Sequence, residues 1–135
     1  MLVISILEAE DFGEELYPVM RNNLTDLIKM QHVGLIIAAG DSKGMIYRLL
    51  NELAVEYPNV FFTILLSNDK QAYEGGDREW PHVFSLDCDI AYGDTKSAKQ
   101  RRREIIITHS DIIFCRNKHC NEIRKINRCC EILVI

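Results

Sequence analysis

The 135-residue chain has no apolar run of the roughly 18 residues that a membrane-spanning helix needs; Val60–Leu66, its longest, is the length of a strand. Nor does it carry an excess of positive charge. A net charge of −4 argues against general nucleic-acid binding, although the run Lys99–Arg103 is locally basic. The N-terminus, MLVISILEAEDF, has no basic leader and turns acidic at once, so no export signal is read there. The five cysteines are odd in number and fall mostly in the last third, so reduced thiols in a cytoplasm are expected. Two phosphate-binding signatures are missing as well: the three spaced glycines of dinucleotide folds and the lysine-bearing loop of phosphate-loop ATPases.

What is present is ordinary globular material, 47% hydrophobic and 27% charged, enough for one domain over residues 1–135 with a core of its own. Apolar strands alternate with amphipathic helices. Strands are read at Leu2–Leu7, Val33–Ala39, Val60–Leu66, Asp111–Cys115 and Glu131–Ile135. Helices are read at Phe12–Met30, Asp41–Tyr57, Ser97–His109 and Asn117–Arg128. In the first helix Leu16, Val19, Met20, Leu24, Leu27 and Ile28 recur every three or four residues, and Pro18 implies a kink or a start near Tyr17. In the second helix Met45, Ile46, Leu49, Leu50 and Leu53 form the buried side. Residues 67–97 are polar and irregular, with a short strand at Val83–Leu86; the aromatics Tyr73, Trp80, Phe84 and Tyr92 suit a lid or a cover over the sheet edge. The pattern implies an α/β fold: a Rossmann-like three-layer sandwich around a mostly parallel sheet of about five strands.

Such sheets bind ligands beyond the carboxyl ends of their strands, where the strand order reverses. That directs attention to Glu8–Asp11, Ala39–Gly44, Ser67–Lys70 and Cys115–Lys118. The turn Gly40-Asp41-Ser42-Lys43-Gly44 is the best local signal, because small residues and free N–H groups at a helix start can hold phosphate. It also has a purely structural explanation: Gly40 turns the chain, Asp41 or Ser42 caps the helix, and Gly44 permits close helix packing. Arg101, Arg102 and Arg103 offer planar guanidinium forks, one of which can turn inward while its neighbours face water. On physics alone a solvated helix face with ordinary i,i+4 pairing is the favoured explanation. Glu8, Glu10, Asp11 and Asp41 share the same edge, where they can hold a ribose diol or a cation, or serve as helix caps and solubilising charge. Cys115, Cys120, Cys129 and Cys130 do not follow a zinc spacing, so buried thiols are expected. The arginine-rich rim beside Cys115 favours a lowered thiol pKa. His109 reads as a helix C-terminal residue.

The order of elements resembles the YpsA-like branch of the SLOG superfamily, Rossmann-like proteins related to the lonely-guy phosphoribohydrolases and to the DNA-processing protein DprA. The resemblance spans about residues 24–135 and is best over Gly34–Leu66 and Gln100–Phe114. The glycine turn Gly40–Gly44 matches it, as do Arg102 or Arg103 ahead of Ile106 or Ile107 and Ser110-Asp111. The acidic stretch Leu7–Asp11 departs from it, and the Pro-Gly-Gly-x-Gly-Thr motif of the lonely-guy enzymes is absent. The resemblance implies a nucleotide or nucleotide-derived ligand, held by the glycine turn and an arginine; no cofactor is expected, and the cysteine spacing gives no metal site. Two other readings stand beside it: a nucleotide-processing hydrolase using Glu8, Glu10 or Asp41, and an interaction module that has lost the pocket and dimerises through a helix face.

Overall fold

The computed structural model describes residues 1–40, 44–66, 82–87 and 95–135. The strands are β1 (Leu2–Ile6), β2 (Val33–Ala39), β3 (Phe61–Leu66), β4 (Phe84–Asp87), β5 (Ile112–Cys115) and β6 (Glu131–Val134). They form one sheet in the order β4-β3-β2-β1-β5-β6, and every pairing is parallel. Six strands are thus described. The sixth beyond the expected five is β4, the short strand inside the 67–97 segment.

Four helices flank the sheet among the described residues: α1 (Tyr17–Met30), α2 (Met45–Glu56), α3 (Thr95–Thr108) and α4 (Cys120–Ile126). One sheet face, carrying Ile4, Ile6, Ile36, Ala38, Phe62, Ile64, Ile112 and Phe114, packs with Met20 and Leu24 of α1 and Ile46, Leu49, Leu50 and Leu53 of α2. The other, carrying Ala39, Leu65, Ile113 and Cys115, packs with Ile106 and Ile107 of α3 and Ile123 of α4. These are the three layers that the alternating pattern demands. The helices bury both faces of each central strand, which is why β2 and β5 are apolar throughout rather than alternating.

Local chemistry sets the boundaries. α1 begins at Tyr17 with Pro18 in its first turn, where a missing N–H costs nothing. Residues 14–16 form a separate 3-10 turn, so the helix is shorter than its apolar spacing suggests. Val19 falls on the outside, 44% exposed, rather than on the buried stripe. α2 starts at Met45, four residues later than expected, and Gly44 precedes it with φ +92. A Cβ at Gly44 would meet nothing within 4 Å, so Gly44 serves the backbone turn and not close helix packing. The C-terminal helix divides into a 3-10 turn (Asn117–His119) and α4.

Ser110-Asp111 has a structural task. The Asp111 carboxylate accepts from the Val3 N–H at 2.8 Å, while the Asp111 N–H donates to the Val3 carbonyl at 2.9 Å. Ser110 Oγ donates to the Ile106 carbonyl and is hydrogen-bonded to Ser5 Oγ. These bonds lock β5 against β1 at the amino edge of the sheet. His109 is exposed just beyond α3, as a helix C-terminal residue should be.

Candidate functional site

Strand order reverses between β1 and β5. From β1 the chain steps outward through β2, β3 and β4, then returns to the other side of β1 as β5. The crevice beyond their carboxyl ends is where open α/β sheets take ligands. It is framed by Leu7–Asp11 after β1, Gly40 after β2 and Arg116–His119 after β5.

The first of these segments is unusual. Glu8 sits at φ 57, ψ 75, the only non-glycine residue with positive φ among those described, and is only 5% exposed. A left-handed conformation in a residue with a Cβ costs roughly 1–3 kcal/mol and persists only where the surroundings impose it. Here two arginines of α3 meet its carboxylate. Arg102 Nη2 lies 3.3 Å from Glu8 Oε2, and Arg103 Nη1 lies 3.5 Å from Glu8 Oε1. Arg102 is 1% exposed. Its Nε–H is buried without a hydrogen-bond partner among the described residues.

The three consecutive arginines therefore have three different fates. Ala98, Arg102 and Ile106 are spaced four apart and all buried, so Arg102 occupies the sheet-facing stripe of α3. Arg103 lies beside that stripe and also pairs with Glu122 of α4 at 3.3 Å. Arg101 points to solvent and, among the described residues, pairs only with Glu104 at 3.4 Å. The surface-pairing explanation holds for Arg101 and fails for Arg102.

Glu10 is exposed as a residue, but its carboxyl group is turned in against Glu8. Its pKa is pushed up to about 7, first by burial of the carboxyl group itself and then by a hydrogen bond shared with Glu8; Arg102 pulls weakly the other way. The folded chain thus holds a proton that the unfolded chain releases near 4.5. Stability should be greatest below that pH, fall as the pH rises toward 7, and level off above it. Urea unfolding between pH 4.5 and 8 should show this fall, and Glu10→Gln should flatten it; an unchanged slope in the variant would remove Glu10 as its source.

Gly40 comes close to this turn. A Cβ on it would stand 2.6 Å from the Ala9 Cβ and 3.4 Å from Glu10 Oε2. Gly40 is thus required by the approach of β2 to the β1 turn. Asp41, Ser42 and Lys43 lie outside the described residues, as do Ser67–Lys70 and the aromatics Tyr73, Trp80 and Tyr92, so the helix-cap, phosphate-turn and lid readings fall there. A cavity of about 330 Å³ opens between the two segments, lined by Ala9, Glu10, Phe12, Gly13, Glu14, Gly44 and Met45.

On the β5 side the residues are basic. His119 Nε2 lies 3.1 Å and Lys118 Nζ 3.2 Å from the Asp11 carboxylate, a clasp across the reversal point that the sequence reading did not include. Arg116 lines a cavity of about 390 Å³ with Asp11, Asn117 and Lys118 and makes no ion pair among the described residues. Cys115, directly below, is fully buried, and burial pushes its thiol up to about 12. The expected lowering by the arginine-rich rim is thus overturned: desolvation raises the thiol pKa and the neighbouring cysteines raise it further. No group of three or more metal-ligating side chains occurs among the described residues, and no described helix is long and apolar enough to cross a membrane.

A larger cavity of about 470 Å³ lies at the opposite, amino edge of the sheet, among residues such as Met1, Gly34, Tyr57 and Val60. It has neither the buried charge nor the strained backbone of the carboxyl edge.

Compared with known proteins, the chain matches no protein-family model, no curated protein and no solved structure.

Proposed function

We propose that this chain binds a nucleotide or nucleotide-derived ligand at the carboxyl edge of its sheet, as a YpsA-like relative of the SLOG proteins. The observation that carries the reading is the buried Arg102–Glu8 pair at the point of strand reversal. A buried ion pair is a poor source of stability, and an apolar pair of similar size serves packing as well or better. Its presence beneath the crevice, together with the left-handed Glu8 and the orphaned Arg102 N–H, supports a site that the fold maintains at a cost.

The charges divide the crevice. Glu8 already engages Arg102 and Arg103, so among the described residues Arg116 is the cation open to a phosphate at the β5 end, with Lys118, paired with Asp11, beside it in the same cavity. Glu10, beside Gly40, suits the opposite end of the ligand, where a ribose hydroxyl or a base N–H donates to a carboxylate.

Thermal unfolding against nucleotides, nucleosides, ADP-ribose and cyclic dinucleotides tests the reading. A rise in melting temperature is expected with the phosphorylated members. It should shrink in Arg116→Ala and Lys118→Ala, exposed or half-exposed positions whose loss leaves the core intact. A flat panel with stable self-association would favour the interaction module instead. The near-neutral Glu10 is what favours a hydrolase as second reading. There, ligand turnover would be lost in Glu10→Gln while ligand protection remained.

A further inference from the structure

The described arginines up to Arg103 each meet a carboxylate: Arg21 of α1, Arg48 of α2, and Arg101, Arg102 and Arg103 of α3. Those near the end of the chain do not. Arg124 and Arg128, with Lys125 between them, make no ion pair among the described residues. Asn121, Arg124 and Lys125 stand three and four residues apart on α4 and so share one face of that helix. Arg128 follows two residues past its end. All four are exposed, and together they line an open cavity of about 490 Å³. That cavity shares no lining residue with the two at the carboxyl edge of the sheet.

The one carboxylate of α4 is turned the other way. Glu122 accepts from Arg103 Nε at 3.3 Å and from Gln100 Nε2 at 3.1 Å, both on α3, and so leaves the stripe uncompensated. Cations in the last turn of a helix complement its dipole. That accounts for Arg124 and Lys125; it does not account for Arg128, beyond the helix end, or for the cavity that the three cations share. In a chain of net charge −4 the stripe is a concentrated patch of the opposite sign.

We propose that this stripe docks an acidic segment of a partner protein. Its chemistry selects that occupant over other polyanions. A nucleic-acid strand is held by stacking on aromatic rings as well as by charge. No described aromatic residue lines this cavity, and the acidic remainder of the chain opposes a long polyanion. An anionic membrane is gripped by clusters of about four to eight basic residues, and three stand here. A second copy brought onto the stripe by a two-fold axis would set like charges face to face. A short acidic segment meets only the local charge. Its carboxylates suit the guanidinium forks of Arg124 and Arg128, with Lys125 as a third cation and the Asn121 amide as a further donor. The docking does not depend on the ligand proposed for the carboxyl edge.

Fluorescence anisotropy of the full chain with a labelled peptide of alternating glutamate and serine, at low ionic strength, tests the proposal. The peptide is expected to bind, to shift amide resonances at Asn121–Arg128, and to be released by added salt. The same peptide with glutamine in place of glutamate should not bind. Arg124→Glu should weaken binding about tenfold. Lys29→Glu, an equal change of charge at an exposed lysine of α1, should leave it within about twofold. Both positions are exposed, and an unchanged melting temperature confirms that each variant folds. No binding, an equal loss in Lys29→Glu, or shifts centred on Arg116–His119 would overturn the proposal. So would tighter binding at Asn121–Arg128 of a single-stranded oligonucleotide of the same length or of phosphatidylserine vesicles.

Discussion

Arg102→Ala is expected to destabilise the protein by about 3–5 kcal/mol, because it strands the Glu8 carboxylate in a site that is only 5% exposed. For a chain of this size that corresponds to a fall in Tm of roughly 10–20 °C. Glu8→Ala should cost a similar amount, since it leaves a fully buried guanidinium with its principal partner gone. The double variant Glu8→Gln/Arg102→Met should lose less than the sum of the two single alanine variants, because no buried charge is then left unpaired. Arg101→Ala, one residue away on the solvent face, should stay within about 0.5 kcal/mol of the parent. Chemical denaturation of the four variants decides the matter. A loss below about 1 kcal/mol in Arg102→Ala would mean that the guanidinium is solvated and not an internal ion.

Gly40→Val should cost about 1–3 kcal/mol. Even its Cβ would overlap that of Ala9 at 2.6 Å, and its branches would reach further toward the β1 turn. The turn between Glu8 and Asp11 would have to withdraw from β2, and the ligand response described above should disappear with it. Ala9→Gly in the same chain removes the opposing methyl and should recover part of the stability. Were Gly40→Val to unfold like the parent, the approach of β2 to the β1 turn would be looser than this geometry.

The fold was legible in the sequence because its determinants are local. Pro18 marks the first turn of α1, and the unbroken apolar runs of β2 and β5 mark strands covered on both faces. The site was legible only in outline. Strand alternation directs attention to the residues after each strand, and there Glu8, Glu10, Gly40 and Arg102 converge. Yet the spacing Ala98, Arg102, Ile106 competes with a run of neighbouring charges that reads as a solvated face. What decides for burial is Glu8, 94 residues away in sequence. The left-handed Glu8 backbone and the Asp11 clasp are likewise products of tertiary packing. No local spacing encodes them. Ser110-Asp111 shows the converse: a conspicuous dipeptide whose bonds to Val3 and Ser5 hold strands together at the edge away from the crevice.

The most direct measurement is a titration of the isotopically labelled protein with ADP-ribose, followed by amide resonances. The account predicts shifts concentrated at Leu7–Asp11, Gly40 and Arg116–His119, saturating together with one affinity. Shifts confined to the amino-edge cavity around Gly34 and Tyr57–Val60, or a spectrum that ADP-ribose and the other nucleotides leave unchanged, would contradict it.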